Sequence, residues 1–166
     1  RAFRLPGCAA RPRAPAYIHV TKDGDELDVV ELNDKALLFG RKVNHAPKQG
    51  TYRLDHDSVS REHIALVHSF DGTWHVTDLG SRYGTLLEGT LARWRRCRSP
   101  RLRTCLVYPS RDRARHARRC AGAKLEPKRY VALKEGDTIK IGESTRKFTF
   151  GLRPPRGGTR AASGAA

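Results

Sequence analysis

The sequence has no methionine, not even at its first position, and is therefore expected to be a fragment or a processed piece. No run approaches the roughly 18 apolar residues that a membrane span requires, so no membrane association is expected. Residues 1–16 mix Arg, Pro, Gly and Ala and lack the apolar stretch of a secretory signal, although a basic transit-like segment stays open. Cysteine is absent from every stretch with core-like patterning. Cys8, Cys97, Cys105 and Cys120 all stand in arginine-rich segments, which argues against a disulfide framework and for a reducing compartment. Long 3.6-residue apolar periodicity with caps is missing too, so no helix is expected.

Charge is unevenly placed. The net charge of +16 suggests a nucleic-acid binder until it is located. Residues 91–123 hold eleven Arg against the single acid Asp112, and residues 1–16 and 151–166 hold a further four and three Arg with no acid. What remains, 17–90 and 124–150, is close to neutral. The basicity belongs to the two flanks and one internal stretch, not to a basic domain face.

Those near-neutral segments read as all-β. Alternating or β-branched runs recur at Tyr17–Val20, Leu27–Leu32, Ala36–Phe39, His63–Val67, Thr73–Leu79, Tyr130–Leu133, Thr138–Ile141 and Lys147–Phe150. Turn chemistry separates them at Lys22-Asp23-Gly24-Asp25, Phe70-Asp71-Gly72 and Glu135-Gly136-Asp137, with Asp71-Gly72 a hairpin signal. Short strands at this density predict a β-sandwich of about ten to eleven strands. Residues 91–123, with no lysine and three cysteines, are too charged to offset their ordering entropy by burial. They are expected to be a disordered loop inserted between two strands, or else not genuine coding sequence. The expected organisation is a disordered basic flank at 1–16, a domain at 17–152 carrying the long arginine-rich insertion, and a disordered tail at 153–166.

Three short motifs follow one another in order. Gly40-Arg41 closes the run Leu37-Leu38-Phe39. Ser60-Arg61-Glu62-His63 comes about twenty residues later, and Asp78-Leu79-Gly80-Ser81-Arg82-Tyr83-Gly84-Thr85 about twenty beyond that. With Gly136-Asp137-Thr138-Ile139-Lys140-Ile141-Gly142, the set resembles the forkhead-associated (FHA) domain over about residues 17–152, less the insertion. Within that family, three features are similar to the branch containing the nuclear inhibitor of type-1 protein phosphatase and kanadaptin. These are Ile18-His19-Val20-Thr21-Lys22-Asp23-Gly24, Leu125-Glu126-Pro127 and Ser144-Thr145-Arg146-Lys147-Phe148. Removing 91–123 would join Gly89-Thr90 to Lys124-Leu125 as that branch has it.

The resemblance implies a phosphothreonine-dependent protein–protein interaction module within a larger nuclear regulatory protein concerned with phosphatase regulation or RNA processing. It implies a monomeric, non-catalytic domain that needs no cofactor or metal. A phosphoryl group brings about −1.5 to −2 charges and three acceptor oxygens, which suits guanidinium and hydroxyl donors on loop tips. By resemblance, Arg41 and Ser60 contact the phosphate and Arg61 assists; Arg82 and Tyr83 are expected to complete the phosphopeptide-binding set, Arg82 adding positive potential where the family usually has Thr. Tyr83 departs from the common pattern, which places there an Asn that bonds the peptide backbone; the similar branch also has a ring there, a histidine. Gly40, Gly84 and Thr85 are expected to shape turns, and His63 to buttress the loop from within. Selectivity would come from loops such as Lys42–Tyr52.

Two other readings compete. Ser60, His63 and Asp78 invite a catalytic interpretation, yet no nucleophile elbow, phosphate-binding Gly-Lys loop or His-Glu-x-x-His helix occurs. Cys97, Cys105, His116 and Cys120 would make a zinc site with a first gap longer than the usual two to four residues. The alternative function is RNA binding through the phosphate-seeking arginines of 91–123.

Overall fold

The computed structural model describes residues 3–42, 50–89 and 123–154. Among them eleven strands form two sheets and no helix occurs. The strands are β1 (Ala16–Lys22), β2 (Asp25–Leu32), β3 (Ala36–Gly40), β4 (Gly50–Arg53), β5 (Ile64–His68), β6 (Trp74–Asp78), β7 (Thr85–Glu88), β8 (Ala123–Lys124), β9 (Tyr130–Ala132), β10 (Thr138–Ile141) and β11 (Lys147–Gly151). One sheet runs β2-β1-β11-β10-β7-β8 and the other β4-β3-β5-β6-β9. The expected β-sandwich is present. The arginine-rich stretch, the segment 43–49 and the tail from 155 lie outside the described residues; Ala123 alone of 91–123 falls within them, in β8.

Local chemistry explains the hairpins. Asp23 and Gly24 both take positive φ, 53° and 101°, so the two central residues match the mirror-image turn that suits the strand twist. At Asp71-Gly72 the turn closes through Gly72 N–H to Ser69 O and Ser69 N–H to Thr73 O, both 3.0 Å.

Inward residues alternate along β1, β10 and β11, giving Ile18, Val20, Ile139, Ile141, Phe148 and Phe150 to the space between the sheets. Phe39, Tyr52 and Phe148 meet there with ring centroids 5.4–6.1 Å apart. Tyr52 is half-buried, and burial, aided by nearby Asp28, pushes its phenol up to about 12.

The strands β3 and β5 do not alternate, because every residue of both is buried. Leu37, Phe39, Ile64 and Leu66 fill the inter-sheet core, whereas Ala36, Leu38, Ala65 and Val67 form a second apolar cluster with Phe3, Leu5, Ala9, Leu79 and Tyr130 packed on it. The N-terminal residues are therefore not the disordered flank that composition suggests. Residues 3–11 run as a strap along this sheet. Ala10 N–H donates to His68 O, Phe70 N–H to Cys8 O, and Phe3 N–H to a Glu62 carboxylate oxygen, each at 3.0 Å. A strand buried on both faces requires such a cover, and the strap supplies it.

The candidate phosphopeptide-binding loops

Three loops meet at one end of the sandwich, and backbone hydrogen bonds lock them together. Arg41 N–H donates to Ser60 O (3.0 Å), Lys42 N–H to Arg61 O (3.2 Å) and His63 N–H to Phe39 O (2.8 Å). Gly40 sits where these chains converge. Its φ is not positive, and a Cβ there would overlap the Arg61 carbonyl. The glycine is thus needed for close approach of the second loop, not for the tight turn expected from sequence.

His63 is fully buried and spans two loops. Ser60 N–H donates to its Nδ1 (3.1 Å), and its Nε2 lies 3.2 Å from Gly84 O. A backbone N–H can only donate, so Nδ1 is the acceptor and the proton sits on Nε2, directed at Gly84 O. Burial lowers the imidazole below the ordinary histidine range, against the opposing effects of the Gly84 carbonyl and Asp78. The ring is neutral at pH 7.

Asp78 organises the third loop. One carboxylate oxygen accepts Gly80 and Ser81 N–H (both 2.8 Å), and the other accepts the Ser81 and Thr85 hydroxyls (both 2.7 Å). Burial pushes the carboxyl up, but these donors outweigh it and hold it below its usual range. Ser81 Oγ in turn accepts Gly84 N–H (2.9 Å). Ser60, His63 and Asp78 therefore do not line up as a nucleophile relay. His63 bonds the Ser60 backbone rather than its hydroxyl, and both Asp78 oxygens serve their own loop.

Arg41, Asp57, Ser58, Val59, Ser60, Arg82 and Tyr83 line an open pocket of about 150 Å³. Arg41, Ser60, Arg82 and Tyr83, singled out from sequence, thus come together; Arg61 is exposed and stands outside this lining. The Arg41 Nε is buried with no hydrogen-bond partner among the described residues, and its Nη1 lies 3.4 Å from the fully exposed Asp57 carboxylate. Ser60 Oγ accepts Arg82 N–H (3.2 Å), which leaves its own hydroxyl proton free to turn into the pocket. The Arg82 guanidinium carbon lies 5.7 Å from the Tyr83 ring centroid. Ser58 pins the floor, its Oγ accepting Glu143 N–H (2.9 Å) from the β10–β11 turn. An under-partnered guanidinium beside a hydroxyl and a second arginine suits a tetrahedral dianion.

Asp57 and Ser58 escaped the sequence reading. Only folding shows that the stretch before Ser60 turns back toward Arg41; the Asp57-Ser58-Val59-Ser60 run itself carries no distinguishing pattern. Among the described residues no group of three His, Cys, Asp or Glu side chains could hold a metal ion. The cysteine–histidine set of the arginine-rich stretch lies outside them.

Comparison with known proteins agrees with this architecture. Residues 37–103 match the FHA domain model. Over 83 residues the chain is 41% identical to the Arabidopsis thaliana protein phosphatase 1 regulatory inhibitor subunit PPP1R8 homolog, covering 49% of this chain and 21% of that protein. The chain thus spans about a fifth of that relative's length. The solution structure of the FHA domain of TbPar42 superposes with a TM-score of 0.57 at 25% identity, covering 94% of this chain and 67% of that one. Full-length yeast Pml1p gives 0.57 at 17% identity, covering 90% and 98%. Mycobacterium tuberculosis EmbR in complex with a low-affinity phosphopeptide gives 0.53 at 21%, covering 87% and 26%. Three ordered motifs brought to one end of a two-sheet sandwich, together with these matches, identify the chain as carrying a forkhead-associated domain.

Proposed function

We propose that this domain binds a phosphothreonine-containing segment of another protein at the Arg41–Ser60–Arg82–Tyr83 pocket, as a non-catalytic interaction module. The carrying observation is Arg41: among the described residues its buried Nε has no acceptor and its one ion pair is a long one to solvent-exposed Asp57. Leaving a buried donor unpaired costs about 1–3 kcal/mol, a deficit that a phosphate oxygen would relieve. In this reading Ser60 donates its hydroxyl to the same phosphate and Arg61 approaches as an auxiliary charge from the rim. Tyr83 packs against the peptide where an amide side chain is common, and His63, Gly40, Gly84 and Thr85 hold the loops in place.

The similarity to a phosphatase regulatory inhibitor subunit supports a place in a larger regulatory protein; we read that protein as nuclear, its partners as phosphorylated splicing or transcription factors, and the domain itself as monomeric. Calorimetry with phosphothreonine peptides from a library, against their unphosphorylated counterparts, tests the proposal. Micromolar binding, about −8 kcal/mol, is expected for the phosphorylated forms alone. Equal binding of both forms would refute it.

A further inference from the structure

The outward face of the six-stranded sheet carries a row of lysines that the pocket does not use. Residues Ile139, Ile141, Phe148 and Phe150 point into the core. Their neighbours therefore point out, and the Thr138–Thr149 hydroxyl pair, 3.0 Å apart, lies on this outer face. The next outward pair on the same two strands is Lys140 opposite Lys147. Register carries the row on from Lys140 to Leu86 on β7, and from Leu86 to Lys124 on β8.

Three cations thus share one lateral line across four strands. Glu88, two residues along β7, and Glu143 in the turn are nearby carboxylates in sequence, yet no ion pair joins any of the three lysines among the described residues. Like charges directly opposite one another destabilise a sheet. Lysine often guards an exposed sheet edge, but β10 and β11 are interior strands, so that role fits Lys124 alone.

The row also lies at the recognition end. It crosses the start of β7, next to Gly84, whose carbonyl accepts Gly142 N–H (3.0 Å). The Lys124 side chain reaches back over Gly84, where a Cβ would strike its terminal methylene. Tyr83, which lines the pocket, is the adjacent residue. A peptide leaving the pocket past Tyr83 would run onto these lysines.

We infer that Lys124, Lys140 and Lys147 form a docking surface for an acidic stretch of the same phosphorylated protein; this rests on the phosphothreonine reading of the pocket. Strands lie about 4.8 Å apart, so the row spans about 15 Å, the length of four or five extended residues. The row itself, Lys147-Lys140-Leu86-Lys124, contains no aromatic on which a base could stack, which favours an acidic peptide over single-stranded nucleic acid.

The test uses the full chain and two phosphothreonine peptides, one extended on either side by glutamates and one by glutamines. Wild type should bind the glutamate peptide about five- to tenfold more tightly at about 0.1 M salt, with the gain fading toward 1 M. The double variant Lys140→Gln/Lys147→Gln should lose that gain and bind the glutamine peptide as wild type does. Equal affinity of wild type for both peptides, or a gain that survives in the variant, overturns the inference. If neither phosphopeptide binds, the pocket reading fails, and the lysine row is judged by amide shifts with the unphosphorylated glutamate peptide. Shifts at Lys140, Lys147 and Thr149 support it and their absence overturns it. An unstructured RNA oligonucleotide that shifts these amides where the glutamate peptide does not would assign the row to nucleic acid and overturn it as well.

Discussion

His63 and Gly84 are joined across two loops by a hydrogen bond of 3.2 Å from Nε2 to the Gly84 carbonyl, while the other ring nitrogen accepts the Ser60 amide proton. One neutral imidazole therefore fixes the spacing between the loop bearing Ser60 and the loop bearing Tyr83. Protonation would place a second ring N–H against the Ser60 N–H, donor against donor, and the bridge would open on the Ser60 side.

That geometry sets a pH dependence. The folded imidazole lies below the ordinary value near 6.5, so as pH falls through 6.5 the unfolded chain takes up a proton before the folded one. Stability contributed by the neutral ring is fully present above about pH 6.5 and is lost as pH falls toward the lower folded value. His75, also lowered by burial, adds a slope of the same sign. Comparing the melting of wild type and His63→Asn between about pH 7.5 and 5.5 isolates the His63 part. The variant should show the shallower slope; parallel slopes would remove His63 as the titrating group.

Truncating the same residue tests its structural role. His63→Ala leaves Ser60 N–H without its acceptor and takes from Gly84 O one of its two donors, Gly142 N–H remaining, and should cost about 1–3 kcal/mol in denaturant unfolding. Binding lost in a variant of unchanged stability would instead point to direct ligand contact.

The strap over β3 and β5 is a second test. Phe3 and Leu5 cover apolar surface of Ala36, Leu38, Ala65 and Val67. Replacing both with Ser should lower stability by about 1–3 kcal/mol, since each is only partly buried. A variant as stable as wild type would mean that the outer face tolerates water.

Asp57 opposes the proposed ligand. Its carboxylate holds Arg41 Nη1 at 3.4 Å in the free protein and must give way to a phosphate. Asp57→Asn should therefore tighten phosphopeptide binding about two- to fivefold, more at low salt than at high. Unchanged or weaker binding in titrations of this variant would show that Asp57 does not compete for Arg41.

Much of this was legible in the sequence, for physical reasons that also mark where legibility ended. The alternation of Ile18/Val20 and Phe148/Phe150 records a sheet with one wet face, and Asp23-Gly24 records a turn needing positive φ. The strap left no such trace of its own, because four arginines among residues 1–16 mask Phe3 and Leu5. Its signature lay elsewhere, in the unbroken apolar runs Ala36–Phe39 and Ile64–Val67. Strand β4 went unrecognised because four residues pairing in parallel at a sheet edge carry too little pattern. At the site, motifs delivered Arg41, Ser60, Arg82 and Tyr83. Asp57 and the lysine row became visible only through register and loop packing, which no local spacing encodes.

The most direct measurement is calorimetric titration of one library-selected phosphothreonine peptide into wild type and Arg41→Ala, with melting curves for both. Loss of the charged donor fork should weaken binding by about 1.5–3 kcal/mol, roughly ten- to 150-fold, at an unchanged melting temperature. Equal affinity in two equally stable proteins would place the phosphate site away from Arg41 and contradict the assignment of the pocket.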